Sequence, residues 1–464
     1  MSDPTRTVTL MRRGVVVVLC LVQFVDVLGV TSATTAIPAI LAGLGASPSA
    51  AGPLATVYAM FFGGVLILGA RLGDRYGHRR ILLTGIGLFG AASVLGATAG
   101  AWGGAGLAVV LIARALQGAA AALCVPSALR LLLSATPTED RRHAALAAWS
   151  ATGAAAGASG FLVGGLLVQT FGWPAVFWVN LPLAVGLAAC VLVAVPSTRE
   201  HVDRRPLDVP GAALLILAVM AVIAGAAWIE QAETRALGAV AVALGAVLAV
   251  LLAVRLRTAR SPLIPADAFR SRRLRHGTTL SFVNTATTSS TAVLATLYLQ
   301  ERLGLDPVAT GLTLMALSVA VVLTSTSTRA LLGRLSAYTV SGVGIGTIAL
   351  GCLLLTLTVG SWWGILAGVA LAGAGLGLSS VAATTIGTSV PEELAGSASG
   401  ILNTGAQLGT ALGTSVLILV ASFGGVGAGW LGAAVVAALT AAWCVLPRAR
   451  REEAALSGSG STGR

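Results

Sequence analysis

Two side chains are charged where their neighbours are apolar: Asp26, in a run from 14 to 38, and Arg114, in a run from 104 to 131. A charge at the centre of a bilayer costs about 2.5 to 3.5 kcal/mol on insertion scales, so each must face a polar interior and a partner. Asp26 is the only carboxylate deep within any such run, and a carboxylate there can exchange a proton with a cavity. It is the candidate for proton coupling, with Arg114 beside it; the alternative is a structural ion pair between the two, or a hydrogen bond from Asp26 to a neighbouring helix. Neutral polar side chains in other apolar runs could line a cavity: Tyr58, Gln117, Asn284, Tyr298, Asn403 and Gln407. The segment from 278 to 291 is dense in Thr and Ser, whose hydroxyls either face a cavity or let helices pack closely. Trp149 and Trp178, like Tyr58 and Tyr298, can stack on an aromatic ligand, anchor at the interface or fill the core. With so few buried acids, a multivalent cation would lack counter-charge, which favours a neutral, zwitterionic or singly charged amphiphile.

The elements that must position these groups follow from composition. Of 464 residues 56% are hydrophobic and 10% charged, with mean hydropathy +0.91, which excludes a water-soluble globular fold. Long Ala/Val/Leu/Gly runs without strand alternation predict an all-α polytopic membrane protein. Windows of about twenty apolar residues predict fourteen spans between 14 and 446. The first, ending near Pro38, is too long for a signal-peptide core and is expected to be retained. The expected organisation is a six-helix bundle over 14–195, two inserted helices over 209–255 and a second six-helix bundle over 277–446. A Ser/Gly-rich cytoplasmic tail over 447–464 is expected to be disordered.

All 29 basic residues are arginine, and only Arg114, Arg235 and Arg302 fall outside alternate connections and the two tails. This distribution predicts an even number of spans with both termini on the cytoplasmic side of the cell membrane. Arginines confined to short connections set topology, which argues against nucleic-acid binding despite the net charge of +12. Cys20, Cys124, Cys190, Cys352 and Cys444 have no CxxC spacing and read as packing residues, so no metal site is expected. No phosphate-binding loop implies ATP and no GxGxxG implies a redox cofactor. The four histidines are scattered over different connections, which disfavours a polytopic membrane enzyme. TGAxxG occurs at 152–157 and again at 404–409, eight spans later. Parallel repeats of this kind favour a transporter with its site at the midplane between halves.

The loop Arg71-Leu72-Gly73-Asp74-Arg75-Tyr76-Gly77-His78-Arg79-Arg80 resembles the signature between helices 2 and 3 of the major facilitator superfamily, GxLaDrxGrkxxl, with Ala70 at its first glycine. Arg114-Ala115-Leu116-Gln117-Gly118 resembles the family's RxxqG motif. Gly153, Gly157, Gly160, Gly164 and Gly165 resemble the antiporter motif gxxxGPxxGG, with Phe161 in place of proline, although such a stripe also serves as a generic packing face. Gly172 to Pro182 is similar to the family's gWrwiFliNvP segment, and Pro262 to Pro265 and Tyr298 to Gly311 resemble the fourteen-helix drug:proton antiporter branch. In that branch the first span reads LDxTIVNVALP; here Gly29 stands where its acid belongs, three residues after Asp26. The resemblance implies two rocking six-helix halves, gating by Gly73, Asp74, Arg75, Gly77 and Arg79, a proton gradient in place of any cofactor, and a functional monomer. It implies export of small drug-like molecules, antibiotics or secondary metabolites; the alternatives are an exporter or uncoupled facilitator of an endogenous solute.

Overall fold

The computed structural model describes residues 4–136, 138–196, 208–229, 232–259, 262, 264, 268, 270–390 and 392–445. The expected tail at 447–464 and the loop arginines Arg199, Arg204, Arg205 and Arg260 lie outside them. Among the described residues there is no strand, as a bilayer demands of a chain that cannot close a barrel: a helix satisfies its backbone groups within itself.

Seven helices form the first half: α1 (Pro4–Gly43), α2 (Ala51–Tyr76), α3 (His78–Ala97), α4 (Gly106–Ser134), α5 (Glu139–Phe171), and the short α6 (Ala175–Trp178) running into α7 (Asn180–Ala194). A hairpin of α8 (Val209–Ile229) and α9 (Arg235–Thr258) follows. The second half comprises α10 (Arg272–Glu301), α11 (Pro307–Leu332), α12 (Ala337–Leu357), α13 (Trp362–Thr388), α14 (Glu392–Leu408) and α15 (Thr414–Val445), the last two joined through a π-helical turn over Gly409–Gly413.

Twelve stretches among the described residues are long and apolar enough to cross a membrane. Two features account for the distance between this number and the fourteen expected. The stretch Ala398–Cys444 counts once, yet it is broken at Gly425, whose φ of 77° permits a reversal that other residues resist. Helix α10 is 30 residues long, about 45 Å at 1.5 Å per residue, but its hydroxyl-rich sequence keeps its mean hydropathy low.

The apolar core is divided. One cluster is shared between the halves, running from Ile37, Ile40 and Leu54 through Phe161 and Phe177 to Leu299, Leu314 and Trp430. It lies at the end of the bundle away from the arginine-rich connections. Toward the arginine-rich end each half also has a core of its own, Leu19, Leu82, Val125 and Leu132 in the first and Ile345, Ile348, Ala383 and Ala437 in the second, while Ile67 of α2 packs across on Ile401 and Leu402 of α14. The α8–α9 hairpin packs on the side of α2 through Val219, Leu215 and Met60. One end of it is fixed by Asp208, which accepts from the Gly211 amide at 3.0 Å and pairs with Arg255 at 2.7 Å. Helix α9 turns Leu237, Val240, Leu244, Val247 and Val254 outward, the surface expected of a lipid-facing helix.

Candidate functional site

The two charged residues of the apolar spans are brought into one network through a third residue. Asp26 on α1 is buried, and Tyr58 on α2 donates its hydroxyl to the Asp26 Oδ1. The Arg114 guanidinium on α4 lies over the Tyr58 ring, 4.6 Å from its centroid, a cation–π contact made stronger by desolvation. Asp26 and Arg114 form no direct ion pair, so Tyr58 separates the two charges. Arg114 donates to Gln117 Oε1 at 3.2 Å, Gln117 donates to Ser93 Oγ on α3 at 2.8 Å, and Ser93 donates to the Phe89 carbonyl at 2.7 Å. The Arg114-to-Gln117 spacing of three puts both on one face of α4. Four helices thereby contribute to one buried polar chain.

This arrangement places Tyr58 and Gln117, two of the expected cavity residues, inside the first half, engaged by the charged pair and not open to a ligand. Asn284 is also interior: it is 1% exposed, on the face of α10 that carries Leu280 and Thr291 against α12 and α13, and neither amide atom has a partner. Tyr298 is half-buried and meets Trp430 edge-on at 5.8 Å. Asn403 and Gln407 are half-buried on α14, and Gln407 Cβ lies 2.7 Å from where a side chain on Gly63 of α2 would begin. Of the stacking candidates, Trp149 packs on the first half's core and Trp178 is exposed. The hydroxyls of α10 mostly close on their own helix, as in Thr287 to Val283, Thr288 to Asn284, Ser290 to Ala286 and Thr296 to Ala292, at 2.7 to 2.9 Å. Thr285, also within reach of the Ser281 carbonyl, makes its shortest bond to the Ala406 carbonyl at 2.5 Å, and Ser289 reaches Thr410 at 3.3 Å, joining α10 to α14 and the π turn.

The glycine stripe of α5 serves two neighbours. Cβ atoms on Gly160 and Gly164 would strike Thr31 and the Ser32 backbone of α1, whereas Gly165 faces the Pro307 carbonyl of α11 and a Cβ on Gly157 would lie 3.5 Å from Ser318 Oγ. Gly153 approaches Gln23. Gly311 of α11 reciprocates against the Phe161 carbonyl, so α5 and α11 touch backbone to backbone. Beside this contact Gln300 donates to the Thr35 carbonyl at 3.0 Å, and elsewhere, between α14 and α2, Thr404 donates to the Gly63 carbonyl at 3.3 Å. These bonds join the two halves.

At the arginine-rich end, Gly77 (φ 94°) ends α2, with its amide on the Gly73 carbonyl at 2.8 Å. His78 Nε2 meets Asp74 Oδ1 at 3.1 Å, and a side chain on Gly73 would strike the His78 ring. Arg79 donates to the Leu192 carbonyl of α7 at 3.0 Å, and Arg75 lies over Tyr76. Sequence reasoning missed Arg71, which donates to the Pro262 carbonyl at 2.9 Å and ties this loop to the segment before α10. It also missed Ser93 and the His78 partnership; a spacing of four between Asp74 and His78 was the available signal. Among the described residues no group of three His, Cys, Asp or Glu side chains is placed to hold a metal ion, and all five cysteines are unpaired.

A polytopic helical bundle in two halves, with one charged network inside it and glycine-mediated contact between halves, defines the transporter class. The Major Facilitator Superfamily model matches residues 19–414 and again 277–463. The chain is 35% identical over 77% of its length to the tetracenomycin C resistance and export protein of Streptomyces glaucescens, spanning 66% of that relative. It is 32% identical to the probable actinorhodin transporter of Streptomyces coelicolor, covering 85% of this chain and 70% of that one. Identity is also 32% to a cephamycin export protein of Amycolatopsis lactamdurans, over 88% and 85% respectively. Among solved structures it is similar in fold to a peptide transporter (TM-score 0.68, 16% identity, 94% of each chain). A human organic anion transporter is likewise similar (TM-score 0.64, 15% identity, 93% of this chain and 99% of that one). The chain belongs to the Major Facilitator Superfamily.

Proposed function

We propose that this protein exports small drug-like molecules, antibiotics or secondary metabolites across the cytoplasmic membrane by alternating access, driven by protons entering in exchange. The observation that carries this reading is the carboxylate of Asp26, buried in the membrane-spanning bundle and held by Tyr58 beneath a fixed cation. A charge so costly to bury is retained where it does work, and a carboxylate can change its charge by taking one proton. Relatives named for export of, or resistance to, tetracenomycin C and cephamycin support the substrate class. The substrate is a neutral, zwitterionic or singly charged amphiphile, since Asp26 is the one acid available to balance a cation.

In this reading the chain crosses the membrane fourteen times, both termini are cytoplasmic, the arginine-rich end faces the cytoplasm, and one chain suffices. The shared core and the α5–α11 contact then form the external seal, and the halves would part toward the cytoplasm by releasing the packing of Ile67 on Ile401 and Leu402. Export would proceed as the seal moves from one end to the other, with Gly73, Asp74, Arg75, Gly77 and Arg79 closing the cytoplasmic side and the proton gradient as the only energy source. The test is accumulation of labelled antibiotics in a drug-sensitive bacterial host. Expression should lower accumulation of at least one compound, and a protonophore should restore it. Lowered accumulation that survives the protonophore would leave an uncoupled facilitator, and unchanged accumulation of every compound would point to an endogenous solute.

A further inference from the structure

The triplet Arg-Leu-Arg occurs at both ends of one connection: Arg255-Leu256-Arg257 lies in the last turn of α9 and Arg273-Leu274-Arg275 in the first turn of α10. Both leucines turn inward, 7% and 1% exposed, into two apolar clusters that share Ile67 of α2 and Ile264 of the connection. The arginines are left at the rim: Arg257, Arg273 and Arg275 are exposed, while Arg255 is engaged by Asp208. Arg71 of α2 holds the connection in place through the Pro262 carbonyl. Topology alone does not call for this patch, because orientation depends on arginine and hardly on acids. Elsewhere at this end arginines stand beside acids: Arg141 and Arg142 follow Glu139 and Asp140, and Arg450 and Arg451 precede Glu452 and Glu453. Between 255 and 275 seven arginines meet one acid, Asp267, so this stretch carries half of the net charge of +12.

Arg257 also ends an apolar stripe. Val247, Val250 and Val254, each more than half exposed, recur at helical spacing along the outward face of α9, and Arg257 is the next residue on that face. From Val247 to Arg257 the helix rises about 15 Å, the depth of one leaflet of a hydrocarbon core about 30 Å thick. We propose that an anionic phospholipid binds here, with an acyl chain along the Val247–Val254 stripe and its phosphate among Arg257, Arg273 and Arg275. Guanidinium groups match phosphate oxygens in paired hydrogen bonds, and Arg273 keeps donors to spare beyond its 3.4 Å bond to the Ser389 carbonyl. The first turn of α10 holds no acid, so its arginines oppose the positive end of the helix, and a phosphate there offsets both. The stripe is what selects a lipid over a free phosphate. The site adjoins the packing between halves, since Leu274 shares its cluster with Ile401 and Leu402, against which Ile67 packs. A bound lipid thereby ties the α8–α9 hairpin to the second half at that point.

The test is the association of spin-labelled phosphatidylglycerol with the full chain in phosphatidylcholine nanodiscs, measured against spin-labelled phosphatidylcholine. The wild-type protein should retain phosphatidylglycerol preferentially, and equal retention of the two would overturn the site. Arg257→Gln combined with Arg275→Gln should lower the preference about fivefold for each arginine removed, on the order of 30-fold together. Arg141→Gln combined with Arg142→Gln, at the same end of the bundle, should leave it unchanged. Equal loss in both pairs would reduce the effect to general attraction toward the arginine-rich surface and overturn the proposal. Excess glycerol phosphate, a headgroup without chains, should not displace the lipid; displacement would leave an anion site only and also overturn it. Should the first pair fail to fold, the wild-type preference must still fall between ~0.01 M and ~1 M salt, as the screening length shortens from about 30 to 3 Å. A preference indifferent to salt would overturn the proposal without any variant. The readout needs neither substrate nor proton gradient, so its outcome is independent of the export reading.

Discussion

The two halves solve the problem of polarity in a bilayer differently. The first half buries both charges of the spans, Asp26 and Arg114, and satisfies them through Tyr58, Gln117 and Ser93. The second half has more polar side chains in its spans, but they are neutral, and most hydroxyls of α10 return to their own backbone one turn earlier. A hydroxyl bonded to its own helix needs no neighbour and lets the helix tilt or slide, whereas a charge locks in whatever partners it has. In the proposed mechanism this is a division of labour: the first half holds the group that changes charge, and the second supplies neutral surface that moves past it.

The largest effect expected is from Asp26→Asn, which keeps the shape but removes the titratable group. Proton-driven transport should fall to background in vesicles while expression and fold persist. Next comes Arg114. Arg114→Ala strands Gln117 and exposes Asp26 to an uncompensated environment, and Arg114→Lys should fail to restore transport because an ammonium does not reproduce the stacked, forked guanidinium. Rescue by lysine would show that charge alone matters. Gly165→Leu forces a side chain onto the Pro307 carbonyl and should cost about 1 to 3 kcal/mol of overpacking, read as a lowered Tm and as loss of cross-linking between cysteines placed on α5 and α11. A smaller effect belongs to Gln300→Leu. It removes one hydrogen bond across the seal, worth about 0.5 to 1.5 kcal/mol, and should raise the population open at the arginine-poor end in spin-label distance measurements. The smallest is Asn284→Leu in the second half. Its amide has no partner to lose, so Tm should hold or rise and transport persist. Transport lost at unchanged Tm would make Asn284 part of substrate recognition and erase the contrast between halves.

Much of this was legible because a charge in an apolar run is improbable without a purpose, so Asp26 and Arg114 declared themselves. What joins them did not. Tyr58 sits 32 residues from Asp26 and 56 from Arg114, and only the packing of α1, α2 and α4 puts its hydroxyl on one and its ring under the other. The glycine stripe of α5 announced close approach, yet its spacing does not say that Gly160 and Gly164 serve α1 while Gly165 serves α11. The pairing of Asp208 with Arg255 depends on the register of a hairpin, which local periodicity leaves free. Hydropathy gave most spans and weakened at α10, where hydroxyls that bond inward look as polar to a window average as those that face water.

Coupling of substrate movement to protons through Asp26 is the step on which the proposed mechanism depends. It is tested most directly by proton release from acidified everted membrane vesicles, followed with a pH-sensitive dye as neutral, cationic and anionic antibiotics are added in turn. Release on addition of one class of compound, absent in Asp26→Asn vesicles, is the expected result. Labelled compound crossing wild-type vesicles with no proton movement would contradict it and leave Asp26 a structural residue of a facilitator.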